Sequence, residues 1–300
     1  MSEILKNVTI VGAAGNLGST VFQKLVDSKQ FNIQVLRRPE STSQYPAGIK
    51  VIDVDFRSID ALTVALQDQD VVVSVLGATS LHLQTGLIDA SIKAGVRRFI
   101  PSEFGSDAGH PKNRALLPFI EKVKVEDYLV EKAKTTSLSY TFIYTGAFLD
   151  WGIRYNFVLD TSSYQPVLFD DGNQPFSTTT LDTIANGVVG VLTHPAGTEN
   201  QTIYLSDFKV SQNELLSIAK KVAPSKPWQP KQVPLDAAVA EADKRLAQGI
   251  VDMGTIVPYL YRSLFDPSHG GSFQKTDNER LGVTPKDKTI LEELYAEVLK

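Results

Sequence analysis

The chain has 300 residues, a formal charge of −4 and 42% hydrophobic residues. That is enough for one large α/β domain with a smaller lobe, and it lacks the clustered positive field of a nucleic-acid surface. It has no cysteine and four scattered histidines, which excludes disulfides, thiolate sites and cysteine nucleophiles and leaves no metal-ligand spacing. No run is apolar enough to span a bilayer, and the first residues lack the apolar core of a secretory signal. A cytoplasmic enzyme with no membrane partner, monomeric or homodimeric, is the expectation.

Val8–Val11 is a β-branched run ended by Gly12. Leu17, Val21, Leu25 and Val26 then share one helical face. Phe31–Leu36 and Val51–Val54 read as strands, and Ser58 as the N-cap of a helix through Leu62 and Leu66. Val71–Leu76 is nearly all apolar, as a central parallel strand buried on both faces should be. A helix from Leu83 to Ala94 leads to the strand Arg98–Ile100, and one from Leu117 to Ala133 leads to Ser139–Tyr144. The basic pair Arg97-Arg98 reads as a solvated helix end. This β-α alternation predicts a doubly wound parallel Rossmann sheet over residues 1–150.

The second half changes character. Asp170-Asp171-Gly172 reads as a hairpin turn, and Thr180 as the cap of another helix. Gln201–Leu205 reads as a strand, so 178–207 is expected to return to the sheet. Ser211-Gln-Asn-Glu214 is a capping box. Four prolines between Pro224 and Pro234 mark a loop or edge strand. Helical segments broken by Gly249, Pro258 and the turn at 266–271 complete a smaller, mostly helical lobe over 151–300, expected to hold the substrate.

Gly12, Gly15 and Gly18 fall between a strand and a helix, the setting that makes a glycine triplet informative. Gly12 permits the tight turn, Gly15 lets a pyrophosphate approach, and Gly18 allows close helix–strand packing. Ala14, Asn16 and Leu17 lie on the same turn and helix start, where free N–H groups meet the anion. After the second strand, Arg37-Arg38 stands where an NAD site carries an acid, which favours NADP(H) through pairing with the 2′-phosphate. Asp55 is read as an adenine contact or a turn cap, and Gly77 as clearance beside the cofactor.

Arg98-Phe-Ile-Pro-Ser-Glu-Phe-Gly105 resembles the strand-five motif of the NmrA-like, isoflavone-reductase-like proteins, which are atypical short-chain dehydrogenases. The resemblance runs along nearly all of the chain. It includes the glycine triplet, Arg37-Arg38, Gln84, Ala90 and Thr145-Gly146-Ala147-Phe148. It implies NADPH-dependent reduction of a small aromatic substrate at a conjugated double bond or benzylic ether. It also implies a helix lysine in place of the ordinary Tyr-x-x-x-Lys pair. Other NmrA-like proteins sense NAD(P) without turnover, and a carbonyl or quinone reductase is a further alternative.

Tyr128 and Lys132 spell the ordinary pair, but Lys132 lies only seven residues before the sixth strand, at the wrong end of its helix. Lys122 stands near the helix start and also resembles the family's lysine segment in spacing. Lys124 lies about 200° around the helix from it, whereas Val125 and Leu129 share the Lys122 face. Lys122 is therefore expected to point inward, orient the nicotinamide ribose and act as general acid. Burial beside the oxidised nicotinamide would lower its pKa. Ser102 is a candidate donor to a substrate oxygen, and Glu103 reads as a loop anchor. Phe104, Phe148 and Trp151 are candidates for an apolar wall against nicotinamide and substrate. His269 is a candidate polar contact from the second lobe, though a plain turn histidine is the commoner case.

Overall fold

In the computed structural model, which describes residues 4–300, the chain begins with β1 (Asn7–Val11), α1 (Asn16–Ser28), β2 (Asn32–Arg37) and β3 (Lys50–Asp53). It continues through α2 (Ile59–Ala65), β4 (Val71–Ser74), α3 (Gln84–Ala94), β5 (Arg98–Ile100), α4 (Ile120–Ala133) and β6 (Ser139–Tyr144). Then follow β7 (Ala147–Phe148), α5 (Leu149–Arg154), β8 (Val167–Phe169), β9 (Phe176–Thr179), α6 (Leu181–Thr193), α7 (Pro195–Thr198) and β10 (Gln201–Tyr204). The last elements are β11 (Phe208–Val210), α8 (Gln212–Val222), β12 (Lys231–Val233), α9 (Leu235–Ala247), α10 (Met253–Phe265) and α11 (Thr289–Val298).

Seven parallel strands form the main sheet in the order β10-β6-β5-β4-β1-β2-β3. This is the doubly wound sheet that the alternation predicts. Every residue of β4 is buried, because helices cover both faces. On one face Leu17, Val21 and Leu25 of α1 pack with Ile184, Val188 and Val191 of α6. On the other, Leu62, Leu87, Ile88, Val125 and Leu129 pack from α2, α3 and α4. Strand order reverses between β1 and β4, so a crevice opens at their carboxyl ends.

A second core belongs to the later residues. Leu149, Phe176, Leu215, Val239, Phe265 and Leu294 meet there. The lobe contains two small sheets, β11-β9-β7 and β12-β8, as well as helices. The proline-rich segment supplies β12, an edge strand paired in parallel with β8. Ser211 and Glu214 form the capping box of α8. Among the described residues no helix is long and apolar enough to cross a membrane.

Three readings need correction. The turn at Asp170–Gly172 forms, but β8 and β9 do not pair across it. The Asp171 carboxylate accepts the Asn173 N–H at 2.9 Å, and Asp170 is tied to Val233 and Leu235. This side-chain-supported turn passes the chain between sheets instead of folding it back. Pro258 does not break its helix. It lies inside α10, whose Tyr259, Leu264 and Phe265 are buried, and that burial offsets the lost hydrogen bond. Arg98 is no solvated helix end. It lies buried in β5 and donates to Ser139, Thr141, Thr198 and the Pro195 carbonyl, and burial pulls its pKa down to about 10.

Candidate active site

The glycine turn is shaped by backbone contact. Gly12 has φ +86°, and a Cβ there would lie 2.3 Å from the Val75 carbonyl oxygen. A Cβ on Gly18 would lie 2.0 Å from the Gly12 oxygen. Gly15 caps α1 with no side-chain hydrogen bond, and the first turn carries no acid. The amides of Asn16, Leu17 and Gly18 are thus the orphan donors of a helix start, where the dipole favours an anion. A Cβ on Gly77 would meet no atom within 4 Å, so space is open beside it.

A cavity of about 180 Å³ runs from Gly12, Ala14 and Gly15 to Arg37, Arg38 and Tyr45. The two arginines differ. Arg37 donates to Asp53 at 2.6 Å and 3.4 Å and to the Ser43 carbonyl. Arg38 is 66% exposed at its side chain, with Glu40 beside it at 3.3 Å. Arg38 is the more available cation. Ser41, Ser43 and Ser80 also line this cavity and were missed in the sequence, although a serine-rich loop after an arginine pair is a phosphate signal. Asp55 caps a turn by accepting the Arg57 N–H. A larger cavity of about 670 Å³ lies between Gln30, Asn186 and Lys286. Gln30 follows the end of α1, so that space opens at the opposite edge of the sheet.

Lys122 sits in the first turn of α4 with its side chain 17% exposed. Its Nζ donates to the Glu103 carbonyl and lies 3.9 Å from Glu103 Oε2. It is also 3.8 Å from where a Gly105 Cβ would be. Gly105 in turn accepts the Thr145 and Gly146 N–H groups at 2.9 and 3.0 Å, which joins the ends of β5 and β6. Lys124 points outward to Glu121. Tyr128 donates to Asp89 on α3, and Lys132 lies 4.9 Å over the Tyr128 ring. The inward orientation read from the helix face is therefore the one the structure has.

The Ser102 hydroxyl is not open to a substrate. It accepts the Leu76 N–H and bonds Ser74, both at 2.8 Å, while its own N–H donates to Gln84 Oε1. It stitches β4 to β5 and holds the backbone just before Gly77. Phe104 is 6% exposed and lies in the core with Ile100 and Ile143, so it is no exposed wall. Its φ of +31° is strained for a bulky residue. Phe148 is half-buried against the same core. Trp151 packs on Tyr155 and Phe157 at 5.1 and 5.8 Å, and its buried Nε1 has no hydrogen-bond partner among the described residues. The aromatic surface continues through Phe157 to Tyr261 and Phe169, residues the sequence reading did not select. His269 is a strut. It is 7% exposed, its Nδ1 is 3.3 Å from Asp266, and its carbonyl accepts the Asn113 side chain. Burial pulls its pKa below the ordinary histidine value.

Behind Lys122 lies a group of acids that the sequence reading missed. Glu103 is fully buried, and neither carboxyl oxygen has a hydrogen-bond partner among the described residues. Glu126 is 3% exposed and accepts a hydrogen bond from the Tyr144 hydroxyl. Burial raises the proton affinity of both carboxyls, and Glu103 raises that of Glu126 further. The signal was present: Glu126 stands four residues after Lys122 on the buried helix stripe.

A reversed parallel strand order, a glycine turn and an arginine-lined crevice define a dinucleotide-binding α/β protein. The chain belongs to the NmrA-like family, whose model matches residues 5–258, as the Pro101–Gly105 string suggested. It is similar to the oxidoreductase aprR of Aspergillus flavus, 31% identical over 98% of each chain. Its fold is similar to that of AtPrR2 with NADP+ and (+)pinoresinol, with a TM-score of 0.79 at 20% identity over 99% of this chain and 100% of that one. The leucoanthocyanidin reductase–NADPH complex from Vitis vinifera gives 0.76 at 22% identity, over 98% of this chain and 100% of that one.

Proposed function

We propose that this protein is an NADPH-dependent reductase of a small aromatic substrate, with Lys122 as the proton donor. The observation that carries this is the position of Lys122 Nζ, held by the Glu103 carbonyl at the carboxyl end of β5. That is the sheet edge onto which the glycine turn opens.

The residues present fit the cofactor. Gly12 and Gly18 keep the backbone close, Gly15 leaves the α1 amides open, and Arg38 offers a cation where a 2′-phosphate would lie. When bound, NADPH supplies the hydride. Asn16, Leu17 and Gly18 would bind the pyrophosphate through backbone N–H groups, while Gly15, whose own N–H donates to the Gly12 carbonyl, leaves room for it. Arg38, helped by Arg37 and the nearby serines, reads the extra phosphate. Ser102 fixes the Leu76–Gly77 backbone beside the cofactor. Lys122 orients the nicotinamide ribose and delivers a proton to the substrate oxygen on which charge develops.

Aromatic substrates are favoured by the half-buried Phe148 and Trp151 with Phe157 and Tyr261 beyond them. A conjugated double bond or benzylic ether is the reading that fits a proton donor opposite a hydride. The pinoresinol bound by AtPrR2 is the first compound to try. The test follows NADPH consumption with pinoresinol, isoflavones and quinones, repeated with NADH. Turnover with NADPH, and weakly with NADH, is expected. Tight NADP(H) binding with no turnover across the panel would instead support a cofactor sensor.

A further inference from the structure

Glu103 and Glu126 are an expensive arrangement. Two carboxyl groups that feel one another's charge lie almost free of solvent, and Glu103 has no hydrogen-bond partner among the described residues. Like charges at close range in a dry site cannot both ionise, so a proton is retained between them. The groups that face the pair come from four places. Lys122 lies on α4 beside Glu126, and Asp107 and Arg114 lie on the loop before α4. Tyr144 comes from β6. Tyr204 comes from β10, donates to Asp107 at 2.8 Å and stacks 5.6 Å from Tyr144.

The geometry gives the pair an inner and an outer end. Inside, Glu103 Oε2 is 3.9 Å from Lys122 Nζ. Outside, Glu126 Oε2 is 3.7 Å from the Arg114 guanidinium, whose side chain is 34% exposed. The Tyr144 hydroxyl donates to Glu126 and accepts the Gly109 N–H at 2.9 Å, so it fixes one oxygen and leaves the other toward Arg114. A core position that needed only filling would carry an apolar residue, since burying two acids is costly unless each is fully paired.

We propose that Glu103 and Glu126 form a proton-sharing pair that returns a proton to Lys122 after each turnover. The proposal rests on the reading of Lys122 as proton donor. When the Lys122 ammonium loses a proton to the substrate oxygen, an N–H bond breaks and a neutral amine remains. The Glu103 carboxylic O–H then breaks and a new N–H forms, which restores the ammonium and leaves a carboxylate. Glu126 then takes a proton from water at the Arg114 opening, and the pair holds one shared proton again. Each turnover draws one solvent proton. Both acids act through Lys122 and are positioning residues; neither touches the substrate.

Infrared spectra of the whole protein test the pair without any substrate. The wild type should show the C=O band of a protonated carboxyl at neutral pH. Glu103→Gln and Glu126→Gln should each remove or shift it, and Lys122→Met should make it persist to higher pH, because a nearby cation is lost. Absence of that band, or a band indifferent to Lys122→Met, overturns the proposal. With the fastest panel substrate, Glu126→Gln should leave the first turnover within about twofold of wild type and slow steady-state kcat by about tenfold. Its alkaline pH limb should move to lower pH, and Glu126→Asp should restore much of the rate. A first turnover slowed as much as the steady state overturns proton return. If the band behaves as expected but Lys122→Met reduces substrate normally, the reading of Lys122 fails and the buried pair stands.

Discussion

The proposed cofactor end and the proposed proton end of this site are built from opposite materials. At the cofactor end the work falls to backbone: Gly12 and Gly18 lie where a Cβ would strike a carbonyl oxygen at 2.3 and 2.0 Å. At the proton end it falls to buried side chains: Lys122 with Glu103, Glu126 and Tyr144 behind it. At Gly12 and Gly18 the first end tolerates almost no added volume. The second is filled with titratable groups and responds to pH. The difference teaches that binding and chemistry in this fold can be broken separately.

The largest effect should come from adding a Cβ at the cofactor end. Gly18→Ala must push the helix start away from the Gly12–Ala13 turn. It is expected to weaken NADPH by at least about a hundredfold, or to destabilise the fold by about 1–3 kcal/mol. Calorimetric titration and thermal unfolding read the two outcomes. A variant that binds NADPH normally would break the contrast.

Next in size is Lys122→Ala, which should lower kcat by about 10² to 10⁴. A smaller effect distinguishes the two arginines. Arg38→Ala should cut the preference for NADPH over NADH by about tenfold, in line with a hydrogen bond to a charged group of about 1.5–3 kcal/mol. Arg37→Ala should change preference less, because that guanidinium is already engaged by Asp53. Ratios of kcat/KM for the two cofactors measure this.

The smallest effect is on stability. Burial holds the proton affinities of Glu103 and Glu126 above the ordinary carboxylate range. The folded state therefore binds more protons than the unfolded chain once pH exceeds about 4.3. Stability from this source is full below that value and is lost as pH rises toward the folded values. Thermal midpoints measured from about pH 6 to pH 9 should fall for the wild type and fall less for Glu126→Gln. Parallel curves would remove the buried pair from the pH response.

The same contrast governs what the sequence disclosed. The apolar run at β4, the glycine triplet and the Ser211 capping box are local patterns, legible because each depends on neighbours in the chain. The inward orientation of Lys122 was legible because its helix has a clear buried stripe. Ser102 was misread as a donor, since nothing local shows that Leu76, 26 residues away, claims its oxygen. His269 is the plain turn histidine that was the commoner reading, held in the loop by Asp266 and Asn113. The hairpin at Asp170–Gly172 failed because its partner strands lie elsewhere in the chain. Tyr144 and Glu126 meet only once β6 and α4 have packed, so their pairing had no signal short of the fold.

One variant examined twice tests the central claim most directly: Lys122→Ala, titrated with NADPH and then assayed for reduction of the best aromatic substrate. The account predicts NADPH affinity within about threefold of wild type, since the pyrophosphate and 2′-phosphate contacts are untouched, and a kcat reduced by at least about a hundredfold. Turnover equal to that of the wild type, with NADPH bound as tightly, would contradict it.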